Sequence, residues 1–166
     1  MVANGETMKL YFAYGANLNK EAMARRCPDA EPFEKFVLPN YKLVFKGVAD
    51  VEECEGSNVE GMLWVITDKC EKALDRFEGY PYLYIKRNYW WSQGGFGQSI
   101  MFYIMRGRDG ISPPNFSYAQ TIKDGYEDFG LNKKQLKKAI AHSYENDSYK
   151  GYNSVQWSDE NEWKRT

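Results

Sequence analysis

The sequence predicts an α+β domain, and three observations carry that prediction. The elements run strand, helix, strands, helix, hairpin, helix. Tyr41 to Lys46 alternates with a period of two, while Val59 to Ile66 is nearly all apolar after Glu60, so strands of both half-buried and buried kinds are present. Cys70, Ala73, Leu74 and Phe77 form an i, i+3, i+4, i+7 stripe, which fits an amphipathic helix. Five or more strands with large inward residues can curl into a small barrel.

The elements follow in order. Lys9 to Tyr14 reads as the first strand, broken at Gly15. A helix follows, N-capped by Asn17 or Asn19 and stopped by Pro28. Asp29 to Pro39 reads as an irregular, Pro-punctuated connection. After the Tyr41 strand, Glu52 to Asn58 reads as a polar loop, and Val59 to Ile66 as a central strand. Asp68 is positioned to cap the next helix, with Glu71 three residues on as in a capping box. Gly79 suits the position just past its end, and Pro81 forbids continuation, which leaves Glu78 at the last turn. Tyr82 to Trp91 and Ser99 to Arg106 read as a hairpin around the Gly-rich loop 93–98. A short helix starts near Tyr118. Asn132 caps the last one, whose inner stripe is Leu136, Ala139, Ile140 and Ser143. Beyond Asn146 the chain is polar with isolated Tyr152, Val155 and Trp157, as in a segment that wraps the surface. The organisation expected is an extension over 1–8, one domain over 9–150 and a tail over 151–166.

Composition removes several classes of function. The 166 residues carry a formal net charge of −1, which argues against nucleic acid or an anionic membrane as partner. Lys133, Lys134, Lys137 and Lys138 read as the solvated face of a helix. No stretch reaches the roughly 18–20 apolar residues of a membrane span, and Met1 to Met8 lacks the apolar core of a signal peptide. The three cysteines, Cys27, Cys54 and Cys70, have no CxxC or Cys/His spacing, and His142 is the only histidine. That argues against a structural metal and for reduced thiols in a cytoplasmic protein. No P-loop, GxGxxG, GxSxG or Cys/His signature is present.

Three groups of residues remain as candidates for chemistry. Tyr14-Gly15-Ala16-Asn17 is a tight turn from a buried strand into a helix, where backbone N–H groups can converge on an anion. By spacing alone it is an ordinary connection. Glu78 flanks the buried stripe at the negative end of a helix, where desolvation and the dipole both raise a carboxyl pKa toward neutrality. By local pattern alone it is a solvated helix-end glutamate. Tyrosine is abundant, with 13 copies, and Tyr80, Tyr82, Tyr84 and Tyr118 can either pack or line a polar cavity.

Taken together, these segments resemble the γ-glutamylcyclotransferase family. Tyr14-Gly15-Ala16-Asn17-Leu18 is similar to its Tyr-Gly-Ser-Asn-Leu turn, and Gly61-Met62-Leu63-Trp64 to a strand of the family. Leu74-Asp75-Arg76-Phe77-Glu78-Gly79, followed by Tyr80-Pro81-Tyr82-Leu83-Tyr84, resembles its Leu-Asp-x-x-Glu-Gly helix end and Tyr-rich strand. Ser112-Pro113-Pro114 to Tyr118, Gly130-Leu131-Asn132 and residues 145–149 keep the family's order downstream.

The resemblance implies a small β-barrel of mixed strands with helices packed around it. It implies Glu78 as the general acid/base and Tyr14, Gly15, Ala16, Asn17 and Leu18 as the substrate-binding turn. Tyr84 and Tyr118 would be cavity tyrosines. Ala16 departs from the family's serine: the backbone N–H survives, but a hydroxyl contact is lost. The activity implied is intramolecular aminolysis of a small γ-glutamyl substrate to 5-oxoproline, with no metal or cofactor, by a monomer or homodimer. The turn would hold either the α-carboxylate or the oxyanion. Two alternatives stand beside it: a cyclotransferase-like protein that only binds a small ligand, and an interaction domain using exposed Tyr and Trp.

Overall fold

The computed structural model describes residues 2–3, 5–107 and 110–153. The chain is an α+β domain built on one mixed sheet. Its strands are β1 (Val2–Ala3), β2 (Glu6–Ala13), β3 (Glu31–Phe45), β4 (Ala49–Thr67), β5 (Tyr84–Gln93) and β6 (Phe96–Met105). Its helices are α1 (Lys20–Arg26), α2 (Asp68–Glu78), α3 (Phe116–Phe129) and α4 (Lys133–Glu145), with a 3₁₀ turn at Ala16–Leu18. The sheet order is β3-β4-β2-β6-β5, with β1 paired to β2.

Strand β2, apolar toward its C-terminal end, takes the middle. Leu10, Tyr11, Phe12 and Ala13 of β2 are all buried. β2 runs antiparallel to β4 and parallel to β6, so both of its edges are used. Its C-terminal end therefore empties directly into the Gly15 turn, against the interior of the domain.

The sheet curls but does not close into a barrel. β3 and β5 stand at opposite ends of the strand order, and among the described residues no ladder joins them. Side chains bridge that seam instead: the Phe36 ring lies 5.8 Å from Tyr89 and 5.6 Å from Trp91. Tyr41 packs edge-on against Phe102 at 5.4 Å. Pro32 and Pro39 suit β3 to an edge position, because neither has an N–H to offer a further strand.

Those prolines also correct the connection expected over residues 29–39, which is strand from Glu31 onward. An edge strand tolerates proline at irregularities, and the β3–β4 register shifts between Pro32 and Lys35 and between Pro39 and Tyr41. The polar loop expected at Glu52–Asn58 is likewise strand, with Glu52 opposite Lys42 and Glu53 opposite Tyr41. Several residues of this outer end of the hairpin face solvent on alternate positions, so its polarity reflects exposure, not a turn.

Local chemistry sets the helices. Asn19, not Asn17, caps α1 by accepting from the Ala22 N–H at 2.9 Å. Thr67, not Asp68, caps α2 by accepting from Cys70 N–H at 3.1 Å. Gly79 ends α2 in the left-handed region at φ 63°, which an L side chain resists. The hairpin turn is shorter than expected, since β5 and β6 continue to Gln93 and Phe96. Asn115 and Asn132 cap α3 and α4. Lys133, Lys134, Lys137 and Lys138 are exposed on α4, while Leu136, Ala139 and Ser143 are buried.

After α4 the chain straps back across the domain. Ser148 N–H donates to the Ile111 carbonyl at 2.8 Å, and Tyr152 N–H to the Lys46 carbonyl at 2.7 Å. Val155 and Trp157 of the expected tail lie outside the described residues. Among the described residues no helix is long and apolar enough to cross a membrane.

Candidate active site

Three elements end at one place. β2 delivers Tyr11, the residue just past its end is Tyr14, the 3₁₀ turn delivers Ala16 and Asn17, and the last turn of α2 delivers Glu78. Between them lies a cavity of about 380 Å³, within the range of small-molecule sites. Tyr84, Tyr103 and Tyr118 complete its polar wall, and Val48 and Ala49 line it beside them.

Glu78 is there because α2 stops where it does. The buried stripe, with Cys70 and Leu74 inward, seats the helix on the sheet, and Gly79 turns the chain away after one more residue. Burial pushes the Glu78 carboxyl up to about 7, against the charge of Arg26, which pulls it down. The negative end of the helix dipole acts in the same direction as burial. Asn17 Nδ2 donates to Glu78 Oε1 at 3.2 Å and to the Tyr11 hydroxyl at 2.9 Å.

The phenols are held as neutral groups in fixed directions. Burial raises Tyr11, Tyr14 and Tyr84 well above the ordinary tyrosine value, and raises Tyr103 and Tyr118 too. Tyr14 donates to the Tyr103 carbonyl at 2.6 Å. The Ala49 peptide serves two of them: its carbonyl accepts from Tyr84 at 2.6 Å, and its N–H donates to Tyr118 at 3.0 Å. The cavity wall is thus tied to main chain, which fixes its shape with little dependence on side-chain rotamers.

Gly15 is required by close approach and not by handedness. Its φ is −125°, outside the left-handed region that favours glycine. A Cβ there would lie 3.1 Å from the Ala49 Cβ and 3.4 Å from the Tyr118 hydroxyl. No hydrogen bond among the described residues takes up the N–H of Ala16 or Asn17, while Leu18 and Asn19 bond back to Gly15 and Ala16. Two main-chain donors therefore remain for a ligand.

Of the sequence-level candidates, Tyr14, Gly15, Ala16, Asn17, Glu78, Tyr84 and Tyr118 share this cavity. Leu18 does not line it; it is fully buried, in close contact with α3 at Gly125. Tyr82 borders the cavity while 84% exposed, and Tyr80 lies outside it under the Lys86 ammonium. Sequence reasoning missed Tyr11, Tyr103 and Arg26. The tyrosine excess hinted at the first two. Arg26 reads locally as one more basic residue in the last turn of α1, and only the tertiary fold brings it to Asn17.

The family model described as gamma-glutamyl cyclotransferase, AIG2-like, matches residues 11–121. Gamma-glutamylcyclotransferase of Bos taurus is 30% identical over 170 residues, covering 94% of this chain and 88% of that protein. The Mus musculus protein of the same name is 29% identical, covering 93% and 88%. A solved structure described as gamma-glutamyl cyclotransferase superposes with a TM-score of 0.70 at 28% identity, covering 96% of this chain and 100% of that one.

Proposed function

The chain belongs to the gamma-glutamyl cyclotransferase, AIG2-like family, and from that membership and the cavity around Glu78 we propose that it releases 5-oxoproline from a γ-glutamyl amino acid, peptide or amine. The observation that carries this reading is the Glu78 carboxyl, half-buried beside the Asn17 turn and raised by desolvation to about 7. An acid/base that must take up and return a proton near neutrality needs that value.

The reaction is intramolecular aminolysis. Glu78 takes a proton from the substrate's α-ammonium group. The freed amine attacks the γ-carbonyl carbon and forms the ring C–N bond. The amide C–N bond then breaks as the leaving nitrogen receives a proton from Glu78. Attacker and target belong to one molecule, so no enzyme nucleophile is needed. Holding the γ-glutamyl chain in its ring-closing conformer contributes about 7 kcal/mol or more. The cavity supports such folding, because neutral tyrosine hydroxyls and apolar Val48 and Ala49 line it together. The N–H groups of Ala16 and Asn17, which have no acceptor among the described residues, serve either the α-carboxylate or the oxyanion. The three free cysteines support the cytoplasmic setting.

The test is a panel of γ-glutamyl amino acids, peptides and amines, with 5-oxoproline measured directly. Release from at least one is the expected result. Calorimetric binding of the panel with no 5-oxoproline formed would leave a ligand-binding protein in its place.

A further inference from the structure

Arg26 closes α1 at a position where its side chain reaches the site from behind. Its guanidinium lies over the Phe77 ring at 3.5 Å, one residue before Glu78. Its Nη1 donates to Asn17 Oδ1 at 2.6 Å. A guanidinium has donors only, so the Asn17 amide must turn its oxygen toward Arg26. Its NH₂ then points the other way, and there it meets both the Tyr11 hydroxyl and Glu78 Oε1.

We infer that Arg26 is a positioning residue for Glu78: by fixing the Asn17 amide it keeps an N–H on one carboxyl oxygen and leaves the other to exchange the proton with substrate. Without that anchor the amide is free to flip, and its oxygen would face a carboxylate and repel it. A single occupied oxygen also gives the proton one place to go, which is what an acid/base acting twice in one turnover requires. The inference rests on the reading of Glu78 as the acid/base.

The groups electrostatically coupled to Glu78 are few. Tyr11 belongs to β2, Tyr14 directly follows it, Tyr84 belongs to β5, Tyr103 to β6 and Tyr118 to α3, and burial keeps all five protonated. Arg26 of α1 is the cation of the set. Burial pulls Arg26 below its ordinary value, yet a guanidinium remains charged at neutral pH.

The experiment compares Arg26→Met, Arg26→Lys and Asn17→Ala with the wild type. In Arg26→Met the acid limb of kcat/KM should move to higher pH, and kcat should fall on the order of tenfold with KM little changed. Arg26→Lys should bring the limb back toward the wild type. Combining Arg26→Met with Asn17→Ala should lower kcat by clearly less than the product of the two single losses, because part of the Arg26 effect passes through Asn17. An unmoved limb together with additive losses would overturn the inference. A readout independent of turnover is the carbon-13 titration of the Glu78 carboxyl. It should shift upward in Arg26→Met and in Asn17→Ala, and an unchanged titration in the folded variants would refute the inference. Should Arg26→Met not fold, the titration in Arg26→Gln, which removes the charge but keeps a polar side chain, decides the same question. If the wild type releases no 5-oxoproline, the proposed function fails, while this titration still decides the role of Arg26.

Discussion

Glu71 and Glu78 lie on the same helix, two turns apart, and the domain treats them in opposite ways. Glu71 accepts from Lys86 at 2.8 Å and from Lys9 as well. Burial alone would raise it, but those two lysines outweigh burial and hold it below the usual carboxylate value. Glu78 has no ion pair with a described residue; its nearest donor is the neutral Asn17 amide, and it rises to about 7. Lys86 also reaches Asp75, and Asp75 accepts from the Tyr103 hydroxyl, so the charged side of α2 forms one network. The difference teaches that a carboxyl is tuned here by withholding a partner at one end of a helix and doubling it at the other.

Removing Glu78 should break the comparison most severely. Glu78→Gln is expected to lower 5-oxoproline release by about 10²–10⁴-fold, while binding of a non-cyclisable γ-glutamyl analogue by calorimetry stays near wild type. The same variant should change stability in a pH-dependent way. A folded-state value above the unfolded one means that the native chain holds its proton longer. Stability from this group is therefore full below the unfolded value of about 4.3 and declines as pH rises toward about 7. Denaturant melts should show that decline in the wild type and its loss in Glu78→Gln. A Gln variant that loses stability with pH as steeply as the wild type would mean that Glu78 is not the source.

The opposite wall can be broken independently. Gly15→Val puts a Cβ 3.1 Å from the Ala49 Cβ and adds two methyl groups beside the Tyr118 hydroxyl. It should weaken analogue binding by about a hundredfold, or roughly 2.7 kcal/mol, in a protein that still folds. Wild-type affinity in the folded variant would show that the turn is only a connection.

At the other end of α2, Glu71→Gln should cost about 1–3 kcal/mol of stability, the usual range for hydrogen bonds to charged groups left unpaired. Its effect on the pH–rate profile should be nil. Its pH signature has the reverse sign: a depressed value gives stability that is present above the ordinary carboxylate pKa and lost as pH falls through the folded one. Urea melts between acid and neutral pH separate the two glutamates.

Much of this contrast was legible in the chain. The stripe Cys70, Leu74, Phe77 and the Gly79 stop placed Glu78 at the helix end beside the core. The Tyr14–Asn17 turn was legible as a break between an apolar strand and a helix, although the reason for Gly15 was not. Its closeness to Ala49 and Tyr118 is a tertiary fact. Strand β3 was obscured by Pro32 and Pro39, because edge pairing excuses prolines that a central strand would reject. The outer half of β4 was obscured by its charges, which mark exposure as readily as a loop. Thr67 is hard to tell from Asp68 as the cap of α2, because both are good capping residues and one residue of register decides between them. Arg26 had no local signature at all.

The smallest effect is expected at Ala16. The side chain is 5% exposed, while the group offered to a ligand is its main-chain N–H. Ala16→Ser should change kcat/KM by less than about tenfold, or roughly 1.4 kcal/mol. A larger gain would show that a hydroxyl at this position matters to the chemistry.

The most direct test of Glu78 as the acid/base is the pH dependence of kcat/KM for 5-oxoproline release by the wild-type protein. The expected profile has an acid limb whose midpoint lies at about 7, the value at which Glu78 becomes the base that receives the α-ammonium proton. A rate that is level from pH 5 to 8, or a limb centred on the ordinary carboxylate value of about 4.3, would contradict that role.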